Sequence, residues 1–332
     1  MNVNDILVSI IIPVYNTAKY LSRCATHLCN QTIDEIELIF INDGSNDNSL
    51  DILNEFKEKY PDRVKIINKE NGGQASARNL GIHLASGDYI GFADSDDYVE
   101  EDMFETMYNA AITYDANYVE CNFKFIEDRD GVYKDLPKRG NVRTYTTNRD
   151  MFINPQVSPW NKLYKASILK DNPIIFPEGL IYEDTAFFIK SIPYISKTVY
   201  IAREFVHYFL RTGSTMNSTS IDSQHKVGNI IPVLSDILTY YKEHNLYAEY
   251  EKELEYFISK ILLCSNISRI GRVTDKTLKA ELIRNTFEAL HEWFPNYKKN
   301  PYYHGKIKIY INLINPWNAG LISIPLGKIM RG

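Results

Sequence analysis

Asp94-Ser95-Asp96-Asp97 sets three carboxylates directly behind the apolar run Tyr89-Ile90-Gly91-Phe92-Ala93. Carboxylates crowded at one point repel one another, and a hard cation bound through oxygen relieves that repulsion. With Asp94 as position one of an EF-hand loop, Glu105 falls at position twelve but Val99 falls at six, where that loop needs glycine. The calcium-loop reading therefore fails. Mg2+ or Mn2+ suits better, because such ions take one or two carboxylates and complete their shell with water and substrate phosphates. A second acidic pair, Glu183-Asp184, stands in the aromatic run GLIYEDTAFF. Apolar surroundings raise a carboxylate's pKa and a nearby cation lowers it, so the pair suits proton transfer or, more plainly, charge at a helix N-terminus.

Three further clusters follow apolar runs. Asn71-Gly72-Gly73-Gln74 opens a helical pattern that carries Arg78, and a helix N-terminus with a guanidinium is a place for phosphate. Asp43 stands at the end of IELIFIND, where its carboxylate can accept a hydrogen bond from a bound base, while Ser45-Asn46-Asp47 has capping chemistry. Pro13-Val14-Tyr15-Asn16-Thr17 contains no glycine, so a backbone cradle for a dinucleotide pyrophosphate is missing, as is a P-loop.

The elements that must position these residues are legible from hydrophobic period. β-branched runs predict strands at about 6–14, 36–42, 63–68 and 88–93, separated by helices over Ala18–Asn30, Asp47–Tyr60 and Gln74–Ala85. This is an α/β fold with a mostly parallel sheet and helices on both faces, and such sheets bind ligands beyond the carboxyl ends of their strands. A strand near 117–125, a polar excursion over Glu127–Arg149 and a short strand KTVYIA follow, then three long helical patterns between Asp222 and Glu292. The expected division is a catalytic α/β domain over 1–220 and a helical region over 221–332.

The chain has 332 residues, 44% of them apolar and 24% charged, which excludes disorder and coiled coil. A net charge of −5 gives no global field for nucleic acid. Cys24, Cys29, Cys121 and Cys264 are too scattered for a disulfide framework or zinc site and fit a reduced cytoplasm, and the N-terminal run is too short to cross a membrane. From Trp293 onward there are six Lys or Arg and no acid, leaving −11 on the rest of the chain. Mixed with aromatic and aliphatic residues, that tail predicts an interfacial segment drawn to anionic lipid, a peripheral contact on the inner face of the plasma membrane. Packing of the tail on its own helices is the alternative.

Taken in order, VSIIIPVYN, INDGSNDNS, NGGQASARNLG, YIGFADSDDYV, WNKLY and YEDTAFF resemble the motifs of the family 2 glycosyltransferases, inverting enzymes of the GT-A fold, over about residues 6–215. The resemblance implies transfer from a nucleotide-sugar donor, with a UDP-sugar the family's commonest case. The acceptor would be a glycan or lipid-linked saccharide in surface-polysaccharide synthesis. It implies that Pro13, Val14 and Tyr15 line the nucleobase pocket with Asp43 accepting from the base, and that Gly72 and Arg78 lie near the donor phosphates. Asp94 and Ser95 would face the donor, Asp96 would hold the divalent ion, and Asp184 would be the base. Trp160, Asn161 and Glu183 would shape the acceptor side, and Arg211 and Ser214, with His207 nearby, would close over the diphosphate. Asn42 and Glu101 depart from the family's usual Asp and Pro, and the Q-x-x-R-W motif of processive members is not seen. Two rivals remain: a metal-dependent phosphoryl-transfer enzyme with an aspartyl nucleophile, and a nucleotide-sugar-binding protein without turnover.

Overall fold

Nine strands form one sheet in a computed structural model that describes residues 6–129, 132–135, 145–210 and 226–322. β1 (Val8–Val14), β2 (Ile36–Asp43), β3 (Val64–Lys69) and β4 (Tyr89–Phe92) are parallel in the order β3-β2-β1-β4. β1, β2 and β4 are buried throughout, which is why they read as unbroken apolar runs rather than alternating ones. Between them run α1 (Ala18–Cys29), α2 (Ser49–Lys59) and α3 (Gly73–Leu84), within two residues of the expected bounds.

Beyond β4 the sheet is mixed rather than mostly parallel. β5 (Tyr98–Val99), α4 (Met103–Thr113), β6 (Tyr118–Arg129), β7 (Val132–Asp135), β8 (Lys162–Lys165), α5 (Ala166–Lys170), α6 (Glu183–Ser191) and β9 (Thr198–Leu210) follow along the chain. β8 lies antiparallel between β4 and β6, β9 runs parallel to β6, and β5 pairs antiparallel with β9. The expected short strand at KTVYIA thus extends through HYFL, and part of the expected polar excursion is the β6–β7 hairpin.

Among the described residues the chain divides into two compact units. The first takes in those up to Asn148, Val157–Gly179 and those from Glu183 to the end of β9; the second takes in Arg149–Gln156, Leu180–Tyr182 and those from 226 onward. In the second unit Phe152 packs edge-on against Tyr241, Arg149 pairs with Glu249 and Glu253, and the Lys260 ammonium donates to the Ile153 carbonyl. These contacts draw a segment before residue 220 into the helical unit. Its long helices are Ile230–Glu243, Tyr247–Lys260 continued through a π-helical turn over Ile261–Asn266, and Lys276–Trp293.

One buried carboxylate ties the amino-terminal half of the sheet to the end of α3. Glu37 in β2 accepts from the Ser9 hydroxyl at 2.5 Å and from the Ser86 N–H and hydroxyl at 2.6 and 2.7 Å, and pairs with Lys65. Burial alone pushes its pKa up, but these donors outweigh it and hold the carboxyl below its ordinary value. A lowered folded pKa contributes stability above the unfolded pKa and loses it as pH falls through the folded one. Glu37→Gln should therefore cost about 1–3 kcal/mol at neutral pH in urea denaturation. The gap to wild type should shrink as pH drops below the ordinary glutamate range.

Candidate active site

The carboxyl ends of β1 to β4 carry loops that are bonded to one another before any ligand arrives. After β1, Asn16 takes a left-handed φ of 52°, a conformation asparagine tolerates, and its side chain accepts from the Asn46 N–H. Asp47 accepts from the N–H groups of Ala18 and Ser49, so it caps α1 from a different loop. Pro13 and Val14 are buried at the strand end, whereas Tyr15 is 49% exposed. Asn42 donates to the Asn68 side chain on β3, a bond that an aspartate there would not donate.

Asp43 works chiefly as a cap for α3. It accepts from the N–H groups of Gly72 and Gly73 at 2.9 and 2.8 Å and from Lys69 at 2.6 Å. A carboxylate at a helix N-terminus is stabilised by the helix dipole as well as by these bonds. Three of its roughly four acceptor positions are thereby filled.

The fixed α3 delivers Gln74 and Arg78, one turn apart on one face, to the acidic cluster. Both donate to Asp94 Oδ1, at 3.2 and 2.9 Å. The other arm of Arg78 donates to Glu183 Oε1 at 3.1 Å. This guanidinium is 3% exposed, so two motifs that lie far apart in sequence are joined by a buried double ion pair. Its Nε is buried with no hydrogen-bond acceptor among the described residues.

Asp94, Asp96 and Asp97 bring one carboxylate oxygen each within 4.8 Å of the others. Asp97, 3% exposed, uses Oδ1 to accept from the Phe209 N–H on β9, while its Oδ2 is buried with no partner among the described residues. Burial, then the charges of Asp96 and Asp94, push its pKa well up. An orphaned carboxylate oxygen in a knot of like charge is the environment a divalent ion resolves, so the donor set fits an oxygen-liganded cation. Asp97 is the member that a DxD pattern of alternate aspartates does not single out; its burial comes from pairing of β5 with β9. Ser95 is turned to Thr17, whose hydroxyl donates to it at 3.0 Å.

The chain enters α6 through Tyr182 at φ 75°, a left-handed conformation that costs a bulky residue about 1–3 kcal/mol. Glu183 and Asp184 occupy the first turn of α6. Burial raises the pKa of both, with Arg78 as the largest opposing influence. Asp184 Oδ1 accepts from the Thr185 N–H at 2.8 Å, and the charge of Lys162 also pulls its pKa down. Lys162, a fully buried lysine that the motif WNKLY contains but does not flag, donates to the Ser158 carbonyl and to Asn161 Oδ1, both at 2.7 Å. Asn161 in turn donates to the Cys121 carbonyl. Trp160 sits in the core, stacked on Tyr208 and edge-on to Phe123, the position of a packing aromatic rather than an open sugar platform. His207 stacks on Tyr98 and pairs with Glu100, and Arg211 and Ser214 lie outside the described residues.

The family model for glycosyl transferase family 2 matches residues 9–172. The glycosyltransferase GlyG of Streptococcus pneumoniae is 34% identical over 231 residues, 64% of this chain and 73% of that protein. The chain belongs to glycosyl transferase family 2. The transferase is also similar to the poly(ribitol-phosphate) beta-glucosyltransferase of Bacillus spizizenii, 33% identical over 237 residues, 69% of this chain and 36% of that one. In fold it matches the crystal structure of Staphylococcus aureus TarS 1-349 in complex with UDP, with a TM-score of 0.72 and 19% identity over 98% of this chain and 91% of that one. The α/β unit of the transferase has the GT-A fold.

Replacing Arg78 by Ala would strand two partly buried carboxylates. We expect a loss of about 3–5 kcal/mol in urea denaturation at neutral pH, the cost of removing one member of a buried ion pair. Protonating Glu183, whose pKa burial raises, should narrow that gap at acid pH.

Proposed function

We propose that this transferase moves a sugar from a nucleoside diphosphate sugar, with UDP as the nucleotide, to a hydroxyl of a surface-polysaccharide acceptor, a glycan or a lipid-linked saccharide, inverting the anomeric centre. The carrying observation is the orphaned, buried oxygen of Asp97 inside the Asp94, Asp96 and Asp97 cluster at the sheet's carboxyl end. TarS, solved with UDP, and the poly(ribitol-phosphate) glucosyltransferase support the nucleotide and the class of acceptor.

In this reading Asp94, Asp96 and Asp97 hold a Mn2+ or Mg2+ ion, which when bound offsets the charge that grows on the departing diphosphate. Arg78 orients Asp94 through the bond from its Nη2 to Oδ1. Tyr15 offers an exposed ring beside the buried Pro13 and Val14 as one wall for the base, and Asp43 holds Gly72 and Gly73 in place.

Asp184 takes the proton. As the acceptor oxygen forms its bond to the anomeric carbon and the bond to the diphosphate oxygen breaks, the hydroxyl proton passes to the Asp184 carboxylate. One displacement inverts the centre. Burial raises the pKa of this carboxylate, which strengthens it as a base. Glu183, tethered by Arg78, stands beside it as a positioning group on the acceptor side.

Asp184→Asn should lower turnover by about 10²–10⁴-fold while donor binding persists, the range for loss of a general base. In wild type, kcat/KM should rise with pH through a value above the ordinary aspartate range and then level. The test is release of nucleoside diphosphate from a panel of nucleotide sugars, read with both proteins over pH. Release of inorganic phosphate with no dependence on Asp184 would favour phosphoryl transfer. Donor binding with no turnover by either protein would favour a binding protein.

A further inference from the structure

Among the described residues of the helical unit, the end of the chain displays its apolar side chains outward. The helix Gly305–Leu313 buries Ile311, and the turn after it buries Ile314 and Ala319, so this segment is anchored from one side. On the other side Ile309, Leu313, Trp317 and Leu321 are exposed, Trp317 to 93%. At about 100° per residue, Ile309 and Leu313 lie on one face of the helix, with Lys306 and Lys308 on either flank.

Trp317 is held out by a built turn. Asn315 Oδ1 accepts from the N–H groups of Trp317 and Asn318 at 3.0 and 3.1 Å, and Asn318 Oδ1 accepts from the Asn315 N–H at 2.9 Å. Asn318 also donates to the Leu313 carbonyl at 2.9 Å. Two asparagines bonded to each other thus fix an indole at the tip of the turn, where it covers nothing in its own unit.

Within this segment the formal charge is of one sign. Lys298, Lys299, Lys306 and Lys308 are exposed, and no acidic residue occurs from Trp293 to the end of the chain, which continues with Lys328 and Arg331. The remainder of the chain carries −11, so this positive patch is local. No helix among the described residues is long and apolar enough to cross a bilayer. A segment that joins an outward tryptophan and aliphatic side chains to exposed lysines fits the headgroup layer of an anionic membrane, where the ring and aliphatic groups enter the acyl boundary and the ammonium groups stay with the phosphates.

We propose that residues 298–322 dock this protein on anionic lipid, with Trp317 and Leu321 as the inserting tip and the four lysines as the electrostatic contact. The proposal stands independently of the transferase reading.

The test is co-sedimentation of the full chain with vesicles of phosphatidylcholine alone and of phosphatidylcholine with phosphatidylglycerol, at low and high salt. We expect partitioning onto the anionic vesicles that falls with salt. The pair Trp317→Ala and Leu321→Ala should weaken it about tenfold or more, since both groups bury apolar area on insertion. Replacing the four lysines by Ala should remove the preference for anionic lipid, at about fivefold per charge. All six side chains are exposed, and an unchanged thermal melt checks that the variants fold. Wild-type protein that stays in the supernatant with both vesicle types, or a Trp317 variant that partitions like wild type, overturns the proposal. So does a solution dimer abolished by the same substitutions, which would give this face to a second copy of the chain.

Discussion

The site rests on one guanidinium. Arg78 is nearly inaccessible to water and lies between Asp94, behind β4, and Glu183, at the start of α6, so the strand-end acid and the α6 acid are set by a single side chain. Removing either acid leaves a buried cation short of a partner, and removing the cation leaves two acids in a cluster that is already repulsive. Arginine suits the position because its rigid fork reaches two carboxylates at once, which a lysine's single ammonium does less well.

Everything that fixes α3 therefore fixes the site. Asp43 caps its first N–H groups from the end of β2. Near its other end Gly81 lies so close to β1 that an added Cβ would meet Ile11 Cγ2 at 2.3 Å, so the helix packs where only glycine fits. Just beyond, Ser86 is tied to the buried Glu37. Helix α3 is thus pinned at both ends and along its length to β1 and β2, and Arg78 has little freedom to leave its two partners.

Much of this was legible in the sequence, because β1, β2 and β4 are buried on both faces and turn residues stand at their ends. The acidic run Asp94–Asp97 was visible for the same reason, standing just past an apolar strand. What local pattern does not encode is long-range pairing. β9 runs on through HYFL because it pairs with β6 and with β5, and that pairing buries Asp97. Lys162 looks like an ordinary polar residue until the β8–β6 register sets it opposite Glu120 in the interior. Trp160 suits a sugar platform and a core equally by type, and only the packing of Phe123 and Tyr208 decides for the core. Arg78 next to glycines suggested a phosphate ligand, and the two acids that hold it lie behind β4 and in α6, beyond the reach of any local motif.

The proposed role of the strand-end acids is a divalent-cation site shared with a nucleoside diphosphate. Calorimetric titration of UDP into the protein, with and without Mn2+, on wild type and Asp96→Ala, tests it most directly. Mn2+ is expected to strengthen UDP binding by at least about tenfold, equivalent to about 1.4 kcal/mol, and Asp96→Ala to remove the enhancement. UDP binding that is indifferent to Mn2+, or a Mn2+ enhancement that survives the loss of Asp96, would contradict it.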